Sequence, residues 1–352
     1  MGNAIVARNA LDGFLSELVS RKITPGAVAA VCDAQGLRYS WCGGDRQIVP
    51  EHLPMLPETI FDLASLTKVV ATTMVLARLQ ERGELDYTMR LDTFFPSCGV
   101  FSQVTLQQIA THTGGFIAEE RLWDRVDNPE EVIDYILTSP ALYEPGTQVV
   151  YSCFGFIILG AIIEKITGKR LDTAAKELVF DPLGMTRTSF NPLQQSVIAP
   201  AGFAATEVDE RTGGMLCGTV HDENARFLSG IAGNAGCFSC LEDLVLWCRM
   251  LLGGGVAADG SRFLSAKTIA LFSHDFTPTL AEARGLGFKV FEPAREIFGH
   301  TGFTGTSVWV DPSRGIAALL LANRVHPTRE ERRLIDLRPE FHRLATSFAE
   351  AN

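Results

Sequence analysis

The chain has 352 residues, a formal net charge of −10, eight cysteines and 46% hydrophobic residues. Ordinary apolar content with 20% charged residues excludes bulk disorder, and the acidic balance lacks the basic footprint of a nucleic-acid binder. The longest weakly charged apolar run, residues 149–163, is shorter than the roughly 20 residues that span a bilayer. Residues 1–6 carry no basic-then-apolar leader and no myristoylation pattern. The expectation is a cytoplasmic protein without a membrane partner.

In chain order, Leu11, Phe14, Leu15 and Leu18 recur at helical spacing. Residues 26–32 and 37–41 then read as a hairpin around the turn Asp33-Ala-Gln-Gly36. Helical patterns dominate the middle, over residues 65–81, 105–111, 129–138, 153–167, 171–179, 240–252 and 265–273. Strand signals return at 285–291, 303–311 and 316–323, and residues 328–350 form a charged amphipathic helix. At about 150 residues per domain, the length suggests two units. Strands at both ends and helices between imply two lobes, not two consecutive domains. The expected class is α/β (α+β): one antiparallel sheet from residues 1–64 and 276–352, flanked by terminal helices, with residues 65–275 inserted as a mostly helical lobe. A cleft between the lobes is the expected place for a site.

The cysteines are scattered, which suits reduced thiols in or near a core. Cys237-Phe-Ser-Cys240 has no second pair and no histidines at ligand spacing, so no metal site is expected.

Three segments carry chemistry. In Phe61-Asp-Leu-Ala-Ser65-Leu-Thr-Lys68 a short extended run enters a helix. Ser65 and Lys68 lie three residues apart and share a helix face. A serine hydroxyl attacks only when a base takes its proton. Lysine can be that base if its pKa falls, and burial and a helix N-terminus both push it down. Tyr151, in Tyr151-Ser-Cys153, stands where an extended stretch opens an apolar helix, and a phenol beside a lysine can relay protons. Later, Phe298-Gly-His300-Thr301-Gly302-Phe303 introduces an edge-like strand. Gly302 would let a substrate approach the backbone, and the next N–H could be an oxyanion donor.

In this order and spacing, the segments resemble the serine β-lactamase and penicillin-binding-protein superfamily, nearest its class C branch and the related esterases and DD-peptidases. Thr111-His-Thr-Gly-Gly115, Pro182-Leu-Gly-Met185 and Asn323-Arg-Val-His-Pro327 add to the likeness, which runs from about residue 10 to 327. The resemblance implies that Ser65 is the acylated nucleophile, Lys68 its activating partner and Tyr151 the base or proton relay. It places the oxyanion hole at the N–H groups of Ser65 and Phe303, and makes Thr301 part of the substrate strand. No cofactor is implied.

Two positions depart from the family pattern. Cys153 replaces the usual Asn, and a thiol is a weak donor and acceptor. His300 replaces the usual lysine, and a neutral imidazole attracts a carboxylate less than an ammonium does. The expected function is therefore a serine hydrolase acting on a small-molecule ester or amide. The alternatives are a muropeptide or D-amino-acid peptidase, a true β-lactamase, and a non-catalytic binding member. His221-Asp-Glu-Asn224 reads as a loop hydrogen-bond network. The oligomeric state is left open.

Overall fold

The computed structural model describes residues 2–195, 202–209 and 212–351. Its main sheet has seven antiparallel strands in the order β3-β2-β1-β10-β9-β8-β7. The N-terminal part gives β1 (Gly26–Asp33), β2 (Leu37–Gln47) and β3 (Leu53–Pro54). The C-terminal part gives β7 (Lys289–Glu292), β8 (Ile297–Thr301), β9 (Ser307–Asp311) and β10 (Ile316–Ala322). The two ends meet where β1 pairs with β10, from Ala27 opposite Ala322 to Asp33 opposite Ile316.

Why β1 and β10 are apolar throughout follows from what covers them. Side chains alternate faces along a strand. On β1, Val28, Ala30 and Cys32 face the main core, and Ala27, Ala29 and Val31 face a second cluster. That second cluster is closed by α1 (Gly2–Ser20) and by α11 (Arg333–Ala351), through Leu11, Leu15, Leu18, Phe341 and Phe348. A sheet covered on both faces needs apolar residues at every position.

Between the sheet halves lie α2 (Thr73–Glu81), α3 (Leu106–Ala110), α4 (Val132–Thr138), α5 (Cys153–Thr167), α6 (Leu171–Ala175), α7 (Asp181–Leu183), α8 (Glu223–Phe227), α9 (Leu241–Leu252) and α10 (Ala266–Ser273). Helix α5 shows how its limits arise. Ser152 Oγ accepts the Gly155 N–H at 3.1 Å, and Gly168 ends the helix at φ +64°. The pattern over residues 65–81 predicts one helix. The structure instead has a 3-10 turn at Ala64–Leu66, a π-helical stretch at Lys68–Thr72, and only then α2.

Two strand expectations need correction. Strand β9 starts at Ser307, not at residue 303, because Phe303 lies in the turn after β8. Strand β8 is not the sheet edge, since β7 pairs with it from Gly299 to Ile297. His300 and Thr301 run beyond β7, however, and pair only with Val308 and Ser307 of β9. A second sheet, β4 (Phe61–Asp62), β6 (Cys237–Ser239) and β5 (Ser189–Phe190), was not expected from the pattern. No described helix is long and apolar enough to cross a membrane. All eight cysteines are free, and six are buried.

Candidate active site

Strand β4 delivers the chain to Ser65 through a constrained turn. Ala64 holds φ +47°, a region that L-residues rarely occupy. The buried Asp62 fixes it: one carboxylate oxygen accepts the Ala64 N–H at 2.8 Å, the other the His221 N–H at 2.6 Å. Ser65 is the middle residue of the 3-10 turn, and Lys68 follows one turn later.

Lys68 is fully buried. Its Nζ donates to Ser65 Oγ at 3.1 Å, to the Asn234 carbonyl at 3.0 Å and to Cys153 Sγ at 3.6 Å. Three acceptors around one nitrogen match the three donors of an ammonium. Burial opposes that charge, but Cys153 and Tyr151 in their deprotonated forms, and Asp222, favour it, and the net shift of Lys68 is upward. This reverses the expectation of a lysine pKa falling towards neutrality. In the resting state Lys68 donates to Ser65 and is not a free base.

Tyr151 lies against this ammonium, with Nζ 4.9 Å from its ring centroid. Burial raises its phenol pKa, and Lys68 pulls it back. Behind it sits His112, whose ring centroid is 4.6 Å from that of Tyr151. His112 Nδ1 accepts the Ser152 N–H at 3.1 Å, which requires an unprotonated Nδ1. Burial drives the His112 pKa well below its usual value, in keeping with that role. Cys153 opens α5 beside Lys68, and burial pushes its thiol up to about 11. It is a neutral thiol, not a nucleophile.

Strand β8 supplies the opposite wall. His300 is buried and neutral, its pKa pushed down to about 3 by burial and then by Lys68 and Arg284. Its Nδ1 donates to the Thr301 carbonyl at 2.9 Å, so Nε2 carries the lone pair. After β8 the chain turns at Gly302 and is pinned back to the segment before Ser65. Thr304 Oγ1 donates to the Asp62 carbonyl at 2.8 Å, and Thr306 Oγ1 to the Leu63 carbonyl at 3.1 Å. The Gly302 N–H bonds the Thr306 carbonyl at 2.7 Å, and Arg338 donates to the Gly302 carbonyl at 2.5 Å. Among the described residues the N–H groups of Ser65 and Phe303 have no acceptor.

Ser65, Tyr151, Cys153, His300, Thr301, Gly302 and Phe303 all line one cleft of about 550 Å³, with Lys68 directly behind Ser65. The sequence reading missed several neighbours. Asn234 is fully buried and gives its carbonyl to Lys68, while its side-chain Oδ1 has no partner among the described residues. The only signal was its glycine-rich setting, Ala232-Gly-Asn-Ala-Gly236. Buried Arg284 and Arg338 also line the cleft, and nothing in their local sequence marks them. Among the described residues no group of three or more His, Cys, Asp or Glu could hold a metal ion.

The chain is similar to known proteins. The Beta-lactamase family model matches residues 11–342. A protein of Escherichia coli (strain K12) named "Putative D-alanyl-D-alanine carboxypeptidase" is 30% identical, over 76% of this chain and 70% of its own length. An N-acetylmuramyl-L-alanine amidase of Bacillus subtilis (strain 168) is 31% identical, over 89% of this chain and 80% of its own. In fold, Simvastatin Synthase (LovD) from Aspergillus terreus superposes with a TM-score of 0.74 at 21% identity, covering 98% of this chain and 97% of that one.

Proposed function

The chain belongs to the beta-lactamase family, and on that premise we propose that it is a serine hydrolase that cleaves a small ester or amide through an acyl-enzyme on Ser65. The observation that carries this reading is the Lys68 Nζ to Ser65 Oγ contact of 3.1 Å, in a cleft that also holds two unpaired backbone N–H groups.

The mechanism follows from the proton count. Lys68 and Tyr151 form a coupled pair whose resting state is ammonium plus phenol. The competent state has one proton fewer: a phenolate on Tyr151, held by the Lys68 ammonium. Ser65 Oγ attacks the substrate carbonyl carbon as its proton passes to Tyr151. The carbonyl oxygen becomes an oxyanion and takes the N–H groups of Ser65 and Phe303. Tyr151 then returns the proton to the departing alcohol or amine. Water repeats the sequence on the acyl-enzyme, and Ser65 leaves with its proton restored.

Esters are favoured over peptides and β-lactams. Cys153 offers a weakly bonding thiol where an amide side chain would hold a substrate amide. His300 is neutral and adds no charge to attract a carboxylate. The test is incubation with a fluorophosphonate, p-nitrophenyl acetate and a penicillin, with adducts located by mass spectrometry. Labelling of Ser65, and ester turnover lost in Ser65→Ala, are the expected results. No adduct, with turnover unchanged in Ser65→Ala, would overturn the proposal. Rapid penicillin turnover would overturn the preference for esters.

A further inference from the structure

The Phe303 N–H can serve an oxyanion only if its turn is held still, yet Phe303 is 43% exposed. Its ring is not loose. The His221 ring stacks on it at a centroid distance of 5.6 Å and an interplanar angle of 26°. The Arg324 guanidinium lies 4.6 Å from the same centroid and that of Arg329 lies at 5.9 Å. These partners are themselves fixed. His221 Nε2 lies 2.9 Å from Glu207 Oε2, which also accepts Arg329 Nε at 2.6 Å. Arg329 reaches on to Glu223. Burial works against the Glu207 charge, but the bonds from His221 and Arg329 hold its pKa down to about 2.

The main chain of His221 closes the circuit. Its N–H bonds the Asp62 carboxylate that also fixes Ala64, immediately before Ser65. Thus His221 touches, through one residue, both segments that carry an unpaired N–H. Asp222 and Asn224 serve the same loop: Asp222 caps α8 through the Ala225 N–H at 2.7 Å, and Asn224 Oδ1 accepts the Leu122 N–H at 3.0 Å.

We propose that His221 is a positioning residue, clamping the Phe303 ring, and with it the Phe303 N–H, in register with Ser65. The role rests on the reading of Ser65 and Phe303 as oxyanion donors. It differs from a substrate-binding role for the ring, which would act on KM alone.

Three variants separate the contributions. His221→Gln keeps a polar side chain and removes the ring. His221→Phe keeps the ring and removes the Glu207 bond. Phe303→Ala keeps the backbone N–H and removes what is clamped. For a p-nitrophenyl ester, His221→Gln and Phe303→Ala should each lower kcat by about tenfold or more at nearly constant KM, since misplaced donors cost transition-state binding. His221→Phe should keep most of kcat, and the double variant His221→Gln/Phe303→Ala should be no worse than either single one. Hydrogen exchange of the peptide spanning residues 302–306 should rise in His221→Gln and not in His221→Phe, whether or not an ester is turned over. Unchanged exchange in His221→Gln, a pure KM effect, or multiplying losses in the double variant would each overturn the clamp. Altered exchange without any labelling of Ser65 in the parent would show the ring held by His221 but remove the hydrolase reading, and the positioning role with it.

Discussion

Replacing Gly302 by Ala is a sharp test of how the cleft is built. A Cβ at this position would stand 2.0 Å from Thr306 Oγ1 and 2.5 Å from the Leu63 carbonyl oxygen. Ordinary contact starts at 3.4 Å, so the seam between the turn and the Ser65 segment must open by about 1 Å. The obstacle is the hydrogen bond that joins the two segments, Thr306 Oγ1 to Leu63 O at 3.1 Å, so relief and breakage coincide. Overpacking costs about 1–3 kcal/mol and a lost buried hydrogen bond about 1 kcal/mol more. A loss of roughly 2–4 kcal/mol in stability is therefore expected, read by urea unfolding. The chemical effect is larger, because a displacement near 1 Å in a reacting constellation costs on the order of 10²-fold. The assays are kcat on p-nitrophenyl acetate and the rate of fluorophosphonate labelling of Ser65. A Gly302→Ala protein with parental stability and kcat would refute the close approach of β8 to Ser65 as the source of the geometry.

Four further outcomes are expected. Gly13→Ala, at an exposed position inside α1 with nothing within 4 Å of the new Cβ, should stabilise the fold by about 0.5–1 kcal/mol in the same urea measurement. Lys68→Ala should fold yet lose about 10²–10⁴-fold in Ser65 labelling; labelling at the parental rate would remove Lys68 from the chemistry. Cys153→Asn should raise the acylation rate by an anilide relative to an ester, measured as the ratio of the two kcat/KM values, and an unchanged ratio would clear the thiol of any part in selectivity. Burial pushes the His300 and His342 pKa values down to about 3, against a usual 6.5. As pH falls from about 6.5 towards 3 the unfolded chain gains protons that the folded chain refuses, so stability drops by roughly 1.4 kcal/mol per pH unit for each histidine. His342→Phe, away from the cleft, should flatten part of that slope in urea midpoints taken between pH 7 and 5.

The sequence was most legible where one rule acted alone. Helix α5 could be placed to the residue because Ser152 caps it, Gly168 ends it and apolar residues fill it. Strands β1 and β10 were visible because burial on both faces makes them continuously apolar. Strands β4, β5 and β6 were not, because segments of two or three residues have no periodicity to detect. The 3-10 and π turns around Ser65 and Lys68 were hidden for another reason: their side-chain pattern is helical, and only the backbone departs from α. In the site, the residues proposed to carry the chemistry could be named from their types and spacing together with the family resemblance. Their supports were not, since Asn234 acts through a carbonyl and His112 through a ring nitrogen that accepts a backbone N–H. The protonation of Lys68 also lay beyond the sequence, because it depends on Cys153 and Tyr151, more than 80 residues away.

The same supports explain why the site needs both sheets. One proposed oxyanion donor lies after β4 in the small sheet and the other after β8 in the large one. Among the described residues no strand pairing joins β4 to β8. What joins them is side-chain bonding: Thr304 and Thr306 reach the carbonyls of Asp62 and Leu63, and Asp62 in turn holds Ala64 and His221. Two short hydroxyl bridges can set a separation more finely than a loop can, because both partners are buried and have no water to exchange with. The N–H groups of Ser65 and Phe303 stay unpaired while their predecessors are taken: Asp62 accepts the Ala64 N–H, and the Thr306 carbonyl accepts the Gly302 N–H. The bonding of the seam thus leaves the two proposed donors free for a substrate.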